Sequence, residues 1–341
     1  MKKPIITGIL SYGMSGRVFH APFIHTSSDF ELKAVTERST KVIHERYPGV
    51  VSYDSIDELL QDTQIELVIV NTPNNTHYEY ARKALLAGKH VLVEKPFAAS
   101  SSEAQELFTL GRERNLKVLV YQNRRWDSDF LSLKAALDSG KLGEPIEVHF
   151  RFDRYRSEIS KKAFKELPLP ASGLTFDLGP HLLDQVISIW GKPASFVKTT
   201  GIFRPESKVD DYMHVHLRYE QGLNVFVTAN LLTASPLPSF VVHGTKGSFI
   251  KSRADVQEDQ LQAGVTPDSP EYGIEPDGNE GILVTINESG ERSTEHITAL
   301  KGNYNRLFAA VYEAIRDDVP YPISEEDIMA QMQILEAKES N

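Results

Sequence analysis

Two short segments carry side chains whose types and spacing suit acid–base chemistry on a small molecule. In DLGPH, Asp177 and His181 stand four residues apart, so that both face the same side of a helix. An imidazole oriented by a carboxylate transfers protons near neutral pH. In EKPF, Lys95 follows an apolar run, and a lysine at the carboxyl end of a parallel strand can reach a bound ligand.

Structural roles remain open for the same three residues. Asp177 is also suited to cap a helix, His181 to form structural hydrogen bonds, and Lys95 to lie on the surface. Asp184, three residues after His181, supplies a second carboxylate that could orient the imidazole. This spacing favours the acid–base interpretation.

A metal site is the competing interpretation of the histidines. His214 and His216 alternate on a predicted strand and therefore point to one side, as metal ligands do. The sequence has no cysteine, no His-Glu-x-x-His helix and no clustered carboxylate loop to accompany them. We therefore predict no metal site.

The segment GILSYGMSG resembles a dinucleotide-binding turn with one glycine replaced. Gly13 stands where the backbone approaches a pyrophosphate, and Gly16 where the helix packs against the strand. Ser11 replaces the first glycine, whose task is only a tight turn. The spacing of Gly8 and Gly13 also suits the start of a P-loop. That motif needs Lys before its Ser or Thr, however, and here Met14 precedes Ser15.

The end of the second predicted strand carries two contradictory signals about the cofactor. Glu37 is suited to bind the ribose hydroxyls of NAD, whereas Arg38 and Ser39 are suited to the 2′-phosphate of NADP. Both charges could also be solvated. The sequence favours NADP slightly and leaves NAD possible.

The first third of the chain alternates strand-like and helix-like segments. The predicted strands are Ile5–Leu10, Glu31–Glu37, Ile65–Thr72, His90–Glu94 and Lys117–Gln122. Strands separated by helices form a parallel sheet that binds ligands beyond the carboxyl ends of its strands. We therefore predict a doubly wound α/β domain that ends near Asn123.

In the second half the predicted strands follow one another directly. They are Pro145–Asp153, Ala194–Phe203, Tyr212–Tyr219, Leu223–Leu231 and Phe240–His243, with helices at Asp129–Asp138, Leu178–Trp190, Tyr304–Arg316 and Glu325–Lys338. The acidic stretch Asp255–Glu280, rich in Pro and Gly, is predicted to be a long surface loop. This pattern predicts an α/β domain with a large open, mostly antiparallel sheet.

Composition excludes several classes of partner. The formal net charge of −10 argues against a nucleic-acid or anionic-membrane surface. No apolar stretch approaches the ~20 residues of a membrane span. The absence of cysteine makes a cytoplasmic location the expectation.

Taken together, the segments GILSYGMSGRVFHAPFI, NTPNNTHYEYARKALLAGKHVLVEKPF, YQNRRWDSDF and FDLGPHLLDQ resemble the Gfo/Idh/MocA family of sugar and inositol dehydrogenases. The resemblance covers essentially the whole chain, and within the family it is strongest to NADP-dependent scyllo-inositol dehydrogenases. It implies a Rossmann NAD(P)-binding domain at 1–123 and a substrate-binding domain at 124–341. The open sheet of the second domain is expected to form the interface of a homodimer or homotetramer.

The resemblance also implies a set of site residues. Its catalytic lysine, aspartate and histidine match Lys95, Asp177 and His181. The expected cofactor contacts are Ser11, Gly13, Met14, Ser15, Gly16, Glu37, Arg38, Ser39, Thr72, Pro73, Asn74, His77, Glu94, Lys95, Asn123 and Trp126. The expected substrate contacts are Lys95, Arg124, Tyr155, Asp177 and His181, with Arg156 and Lys161 as further candidates.

The implied reaction is hydride transfer between nicotinamide and a secondary alcohol of a cyclic polyol or sugar. In this mechanism His181 removes the hydroxyl proton, Lys95 stabilises the developing alkoxide, and Asp177 orients them. The best candidate activity is that of a scyllo-inositol dehydrogenase, which reduces an inosose in the reverse direction. The alternatives are a dehydrogenase of another sugar and a non-catalytic NAD(P)-binding metabolite sensor.

Overall fold

The computed structural model describes residues 3–160 and 166–339, which form two compact units. The first contains the chain up to Asn123 together with Gln257–Tyr272 and Tyr304–Met329. The second contains Arg124–Val256, Gly273–Asn303 and the chain from Ala330 onward. A single boundary after Asn123 therefore describes the units incompletely, because two later segments return to the first.

The first unit is built on a six-stranded parallel sheet with the order β3-β2-β1-β4-β5-β6. Its strands are β1 (Ile5–Ile9), β2 (Phe30–Thr36), β3 (Val51–Tyr53), β4 (Leu67–Val70), β5 (His90–Val93) and β6 (Val118–Val120). The central strand β4 is buried throughout, as expected for a sheet with helices on both faces. The sequence missed only β3, a three-residue edge strand that is half exposed.

Helices connect these strands and cover the sheet. They are α1 (Ala21–Thr26), preceded by a π-helical turn (Gly16–His20), then α2 (Ile43–Arg46), α3 (Ile56–Gln61), α4 (His77–Leu86) and α5 (Ser101–Glu113). Short 3-10 turns lie at Asn74–Thr76 and Asn123–Trp126. Ser100 caps α5, because its hydroxyl accepts the Glu103 amide at 3.2 Å.

The returning segments complete the apolar core of the first unit. Phe308 stacks on Phe23 with ring centroids 4.9 Å apart, and Tyr272 contacts the same Phe23 ring edge-on at 6.0 Å. Further helices are α9 (Val256–Gln262), α10 (Asn305–Arg316) and α11 (Glu325–Glu336). The stretch predicted as a long surface loop thus begins with α9, because Leu261 is buried.

The second unit contains an eight-stranded sheet with the order β14-β13-β12-β11-β7-β10-β9-β8. Its strands are β7 (Pro145–Asp153), β8 (Ser195–Gly201), β9 (Tyr212–Arg218), β10 (Asn224–Asn230), β11 (Phe240–Gly244), β12 (Gly247–Lys251), β13 (Gly281–Ile286) and β14 (Arg292–Ile297). Every neighbouring pair is antiparallel except β7 with β10, which is parallel. The predicted fold class is therefore confirmed.

Side chains alternate across this second sheet. Phe150, Phe152 and Phe240 lie on the covered face, where the helix Gly179–Trp190 packs against β7 and β10. The helices of this unit are α6 (Ser128–Asp138), α7 (Leu174–Asp177) and α8 (Gly179–Trp190). Among the helices within the described ranges, none has the length and apolar character that crossing a membrane requires.

Candidate active site

The glycine turn after β1 is held in place by a side chain from the end of β4. The Asn71 amide accepts the Ser11 N–H at 2.9 Å and donates to the Ser11 carbonyl at 2.7 Å. That carbonyl also explains Gly16, because a Cβ there would lie only 2.2 Å from the Ser11 oxygen. The sequence predicted the role of Gly16 in close packing but missed Asn71 as the clamp.

The outer side of the same turn is open. A Cβ at Gly13 would meet only the Ser11 hydroxyl oxygen, at 3.4 Å, and both Gly13 and Met14 are exposed. The turn leads directly into the helical segment that begins at Gly16. Exposed backbone at the start of a helical segment can bind a pyrophosphate, so the turn is suited to bind a dinucleotide.

The Glu37 carboxylate forms hydrogen bonds within the first unit. It accepts the Val42 N–H at 2.8 Å and the Ser52 hydroxyl at 2.8 Å, and the side chain is buried. These bonds join the loop before α2 to the edge strand β3. In contrast, Arg38 and Ser39 are exposed and form no side-chain hydrogen bonds within residues 3–160 and 166–339.

Tyr12 lies beside this region with its ring buried. Burial, followed by the neighbouring Tyr47, raises the pKa of the Tyr12 hydroxyl to about 12, although Arg46 and Arg17 act in the opposite direction. The hydroxyl is therefore protonated at neutral pH and can donate a hydrogen bond.

Glu94 connects the glycine turn to the segment that contains Lys95. One carboxylate oxygen accepts the Ser15 hydroxyl at 2.9 Å and lies 2.9 Å from His20 Nε2. The other accepts the Lys95 backbone N–H at 3.2 Å. Burial opposes ionisation of Glu94, but the hydrogen bond and charge of His20 hold the carboxyl pKa below its usual range.

His20 was not recognised from the sequence, although it follows the glycine turn closely. Its ring is fully buried and packs edge-on against Tyr121, with centroids 4.5 Å apart. His20 and Glu94 are 74 residues apart in the sequence, so only the fold brings them together.

His77 links the loops that follow β4 and β5. Its Nδ1 lies 2.7 Å from the Pro96 carbonyl, and its Nε2 lies 2.8 Å from the Thr72 carbonyl. The ring is buried, and burial lowers the pKa of His77 despite the two carbonyl contacts. Both ring nitrogens thus contact backbone carbonyls, one of them that of Pro96, whose peptide bond with Lys95 is cis.

Other predicted cofactor contacts lie along the same strand ends. Thr72, Asn74 and Lys95 are half-buried, Pro73 is exposed, and Asn123 is buried after β6. The first unit therefore joins Ser15, Glu94 and the Lys95 backbone in one hydrogen-bonded group, and the Asn71 side chain holds Ser11 separately.

In the second unit, Asp177 ends α7 and His181 lies in the first turn of α8. The Asp210 carboxylate fixes α7, because it accepts the Thr175 N–H at 2.6 Å and the Thr175 hydroxyl at 2.7 Å. Asp177 is half-buried and His181 is buried. The two candidate groups thus stand on consecutive helices whose positions are set by buried contacts.

Asp184 pairs with an arginine from the turn that follows β6. Its two carboxylate oxygens each accept a hydrogen bond from the Arg125 guanidinium, both at 2.8 Å. Sequence spacing could not reveal this pair because the partners are 59 residues apart.

Arg124, predicted to contact substrate, is largely engaged by its own unit. Its guanidinium pairs with Asp127 at 3.1 Å and with Asp255 at 2.9 Å, and its side chain is buried. Trp126 is half-buried, whereas Tyr155 is 62% exposed and bridges to Leu232. Arg156 is exposed, and Lys161 lies outside the described residues.

The paired histidines of β9 lie on the face of the sheet opposite Phe150. His216 stacks on Phe226 at 4.5 Å and contacts the Asn224 side chain at 2.8 Å. His214 contacts the Thr228 hydroxyl at 3.0 Å. Within residues 3–160 and 166–339, no three His, Cys, Asp or Glu side chains are grouped as metal ligands.

Comparison with known proteins matches both halves of the chain to one family. Residues 5–122 match the Gfo/Idh/MocA oxidoreductase family with an NAD-binding Rossmann fold, and residues 130–250 match the family's C-terminal domain. The oxidoreductase YdgJ of Escherichia coli is 35% identical, with 98% of this chain and 96% of YdgJ aligned. IolW of Bacillus subtilis, a scyllo-inositol 2-dehydrogenase (NADP(+)), is 32% identical over 98% of this chain and 92% of its own.

Solved structures agree with this relationship. An oxidoreductase from Bacteroides fragilis has a TM-score of 0.88 and 39% identity, and the alignment covers 98% of this chain and 96% of the other. The glycine turn fits a dinucleotide, both family models match the chain, and the alignments with YdgJ and IolW each cover 98% of it. The chain therefore belongs to the Gfo/Idh/MocA family and is an NAD(P)-binding oxidoreductase.

Proposed function

We propose that the protein is an NADP-dependent dehydrogenase of a cyclic polyol or sugar, with scyllo-inositol as the first candidate substrate. The similarity to IolW, which acts on scyllo-inositol with NADP, is the observation that carries this proposal. The reverse reaction would reduce the corresponding inosose. Other relatives act on glucosides and anhydrofructose, so another sugar is the second candidate.

Cofactor binding is assigned to the first unit. Gly13, Met14 and Ser15 would hold the pyrophosphate, because the backbone of the turn is open there. Thr72, Pro73, Asn74 and Asn123 remain proposed contacts of this unit, and Trp126, which belongs to the second unit, remains a contact proposed from the sequence. Bound NADP would supply the group that accepts or donates a hydride.

The preference for NADP is supported by the position of Glu37. Two backbone N–H groups and the Ser52 hydroxyl already donate to its carboxylate, which leaves fewer acceptor positions for ribose hydroxyls. Arg38 and Ser39 are exposed at the same strand end and suit a 2′-phosphate. We propose that Glu37 supports this loop without contacting the cofactor.

The catalytic roles follow the chemistry of the side chains. His181 would accept the hydroxyl proton during oxidation, and the Lys95 ammonium would stabilise the oxygen as its negative charge develops. Asp177 would orient the proton acceptor. Glu94 and His77 would hold the backbone around Lys95 through the contacts described above.

A screen of scyllo-inositol, myo-inositol and glucose against NADP and NAD tests the proposal. We expect absorbance at 340 nm to rise with NADP and scyllo-inositol, with a lower kcat/KM for NAD. Turnover of glucose alone would support the second candidate. Binding of NADP without turnover of any polyol or sugar would contradict the enzymatic assignment.

Two further expectations are proposals as well. A homodimer or homotetramer is supported by apolar side chains on the open sheet face, among them Val197, Ile282 and Phe226. Light scattering after size-exclusion chromatography would test it, with Ile282→Lys as the disrupting variant. A cytoplasmic location stays a prediction that cell fractionation can test.

A further inference from the structure

Arg154 is half-buried at the end of β7, and no acceptor within residues 3–160 and 166–339 receives its guanidinium hydrogen atoms. The guanidinium lies over the Phe152 ring, 4.5 Å from the centroid. Its backbone is fixed, because its N–H donates to the Asn230 carbonyl at 2.9 Å and its carbonyl accepts the Thr233 N–H at 3.0 Å. A stacked guanidinium keeps its N–H groups at its edge, where they remain available.

The other arginines around Phe152 are used differently. Arg124 and Arg253 lie over the same ring at 5.4 and 4.0 Å. Arg124 pairs with two carboxylates, and Arg253 donates to the Arg151 carbonyl at 3.0 Å. Arg124 therefore has two carboxylate partners and Arg253 has a backbone acceptor, whereas no acceptor for the Arg154 guanidinium lies within residues 3–160 and 166–339.

The surroundings of Arg154 indicate what it could bind. α7, which ends at Asp177, packs against β9 and β10, and the Arg154 backbone is bonded to the last residue of β10. Burial, followed by the charges of Arg156 and Arg124, lowers the pKa of Arg154, while Asp177 and Asp255 act to raise it. The Arg154 guanidinium thus interacts electrostatically with Asp177, the proposed catalytic aspartate, and with Asp255.

A hydroxyl group satisfies such a pair better than a carboxylate does. Its oxygen accepts from a guanidinium and its hydrogen can be donated to a carboxylate. The carboxylate of a sugar acid would accept from Arg154, but Asp177 and Asp255 would repel it. The charges therefore favour a neutral substrate rich in neighbouring hydroxyls.

We propose that Arg154 is a substrate-binding residue that donates hydrogen bonds to hydroxyl oxygens of a neutral polyol beside Asp177. This inference rests on the proposed dehydrogenase function and names a specificity residue for it. Its neighbours Tyr155 and Arg156 were predicted substrate contacts, whereas the stacking of Arg154 on Phe152 is visible only in the fold.

Steady-state kinetics of Arg154→Gln and Arg154→Lys test the proposal, with Arg292→Gln on the edge strand β14 as an exposed control. A hydrogen bond from a charged group is worth about 10- to 100-fold in affinity. We expect Arg154→Gln to raise KM for scyllo-inositol by about that factor, while KM for NADP and the thermal midpoint stay within error. Arg154→Lys, which keeps one charged donor, should recover part of the loss.

Three results would overturn the assignment. An unchanged KM for the polyol excludes a substrate contact. An equal rise in both KM values with a lower thermal midpoint indicates a structural role. Tighter binding of glucuronate than of glucose by the unmodified protein indicates a carboxylate ligand.

Failure of the proposed function is distinguishable from failure of this inference. If the unmodified protein turns over no polyol or sugar, the dehydrogenase assignment fails first. Calorimetric titration of scyllo-inositol into the NADP-loaded protein then measures Arg154 directly. Weaker binding by Arg154→Gln supports the contact, and equal or absent binding in both proteins overturns it.

Discussion

Arg38 in the first unit and Arg154 in the second both follow a strand, and neither guanidinium has a hydrogen-bond acceptor within the described residues. Their surroundings differ, because Arg38 is exposed whereas Arg154 is half-buried on an aromatic ring. An exposed guanidinium is hydrated, so its lack of a partner has little energetic consequence. A partly buried guanidinium loses water, and its free donors therefore point more strongly to a ligand.

In both units, internal hydrogen bonds and ion pairs engage most of the charged side chains near the candidate site. At the parallel strand ends of the first unit, Glu37 and Glu94 are consumed by internal hydrogen bonds, which build a fixed cradle. In the second unit, Arg124 and Arg125 are consumed by aspartates. In both regions the side chains left over are the better candidates for ligand contacts.

The largest expected effect is on kcat, when the proposed catalytic side chain of Lys95 is removed. Lys95→Ala should lower kcat by about 100- to 10,000-fold, because it removes the charge that stabilises the alkoxide. Cofactor binding, followed by fluorescence, should change little. Lys83→Ala, an exposed lysine paired with Glu79 and Asp57, is the control. An unchanged kcat would remove Lys95 from the mechanism.

Two glycines of one turn should behave differently. Gly16→Ala places a methyl group 2.2 Å from the Ser11 carbonyl oxygen, so we expect it to lower the thermal midpoint without cofactor. Gly13→Ala meets only a hydroxyl at 3.4 Å, so it should leave that midpoint intact and weaken NADP binding. Calorimetry and cofactor titration measure both. Equal midpoints for the two variants would contradict the difference in packing.

Glu94 gives a prediction with a defined pH dependence. Its pKa is lowered in the folded protein, so its stabilisation is complete above the usual glutamate range and is lost as pH falls through the lowered value. Glu94→Gln should reduce the free energy of unfolding by about 1–3 kcal/mol at pH 7. The difference should shrink in acid.

Urea titrations from pH 3 to 7 measure this change in stability. The exposed Glu113→Gln serves as the control and should have no effect at any of these pH values. A difference for Glu94→Gln that stays constant with pH would show that the carboxylate charge is not the source of the stabilisation.

The smallest effect concerns cofactor choice. Arg38→Ala should reduce the preference for NADP over NAD about tenfold, because one charge-assisted contact to a phosphate is lost. Lys41→Ala is a matched control, since that ammonium already donates to the Ser52 carbonyl at 3.0 Å and pairs with Asp54 at 2.7 Å. A preference that survives Arg38→Ala would assign the phosphate to another group.

Much of the fold was predictable because local patterns encode it. Buried apolar runs predicted five of the six parallel strands, and alternation predicted β7 to β11. The strands β12 to β14 were missed, although β13 is largely apolar; β14 is largely polar and forms the edge of the sheet. Segments that return to the first unit were also missed, because no local signal states which core a helix joins.

The amino-acid sequence by itself identified the glycine turn and the family, and it predicted the Lys95, Asp177 and His181 set, because short motifs fix residue types at fixed spacing. Only the tertiary structure decided the partners of the charged side chains. It joined Glu37 to Ser52, Asp184 to Arg125 and His20 to Glu94. These pairs depend on contacts between distant segments, where burial makes each polar group find an acceptor or donor.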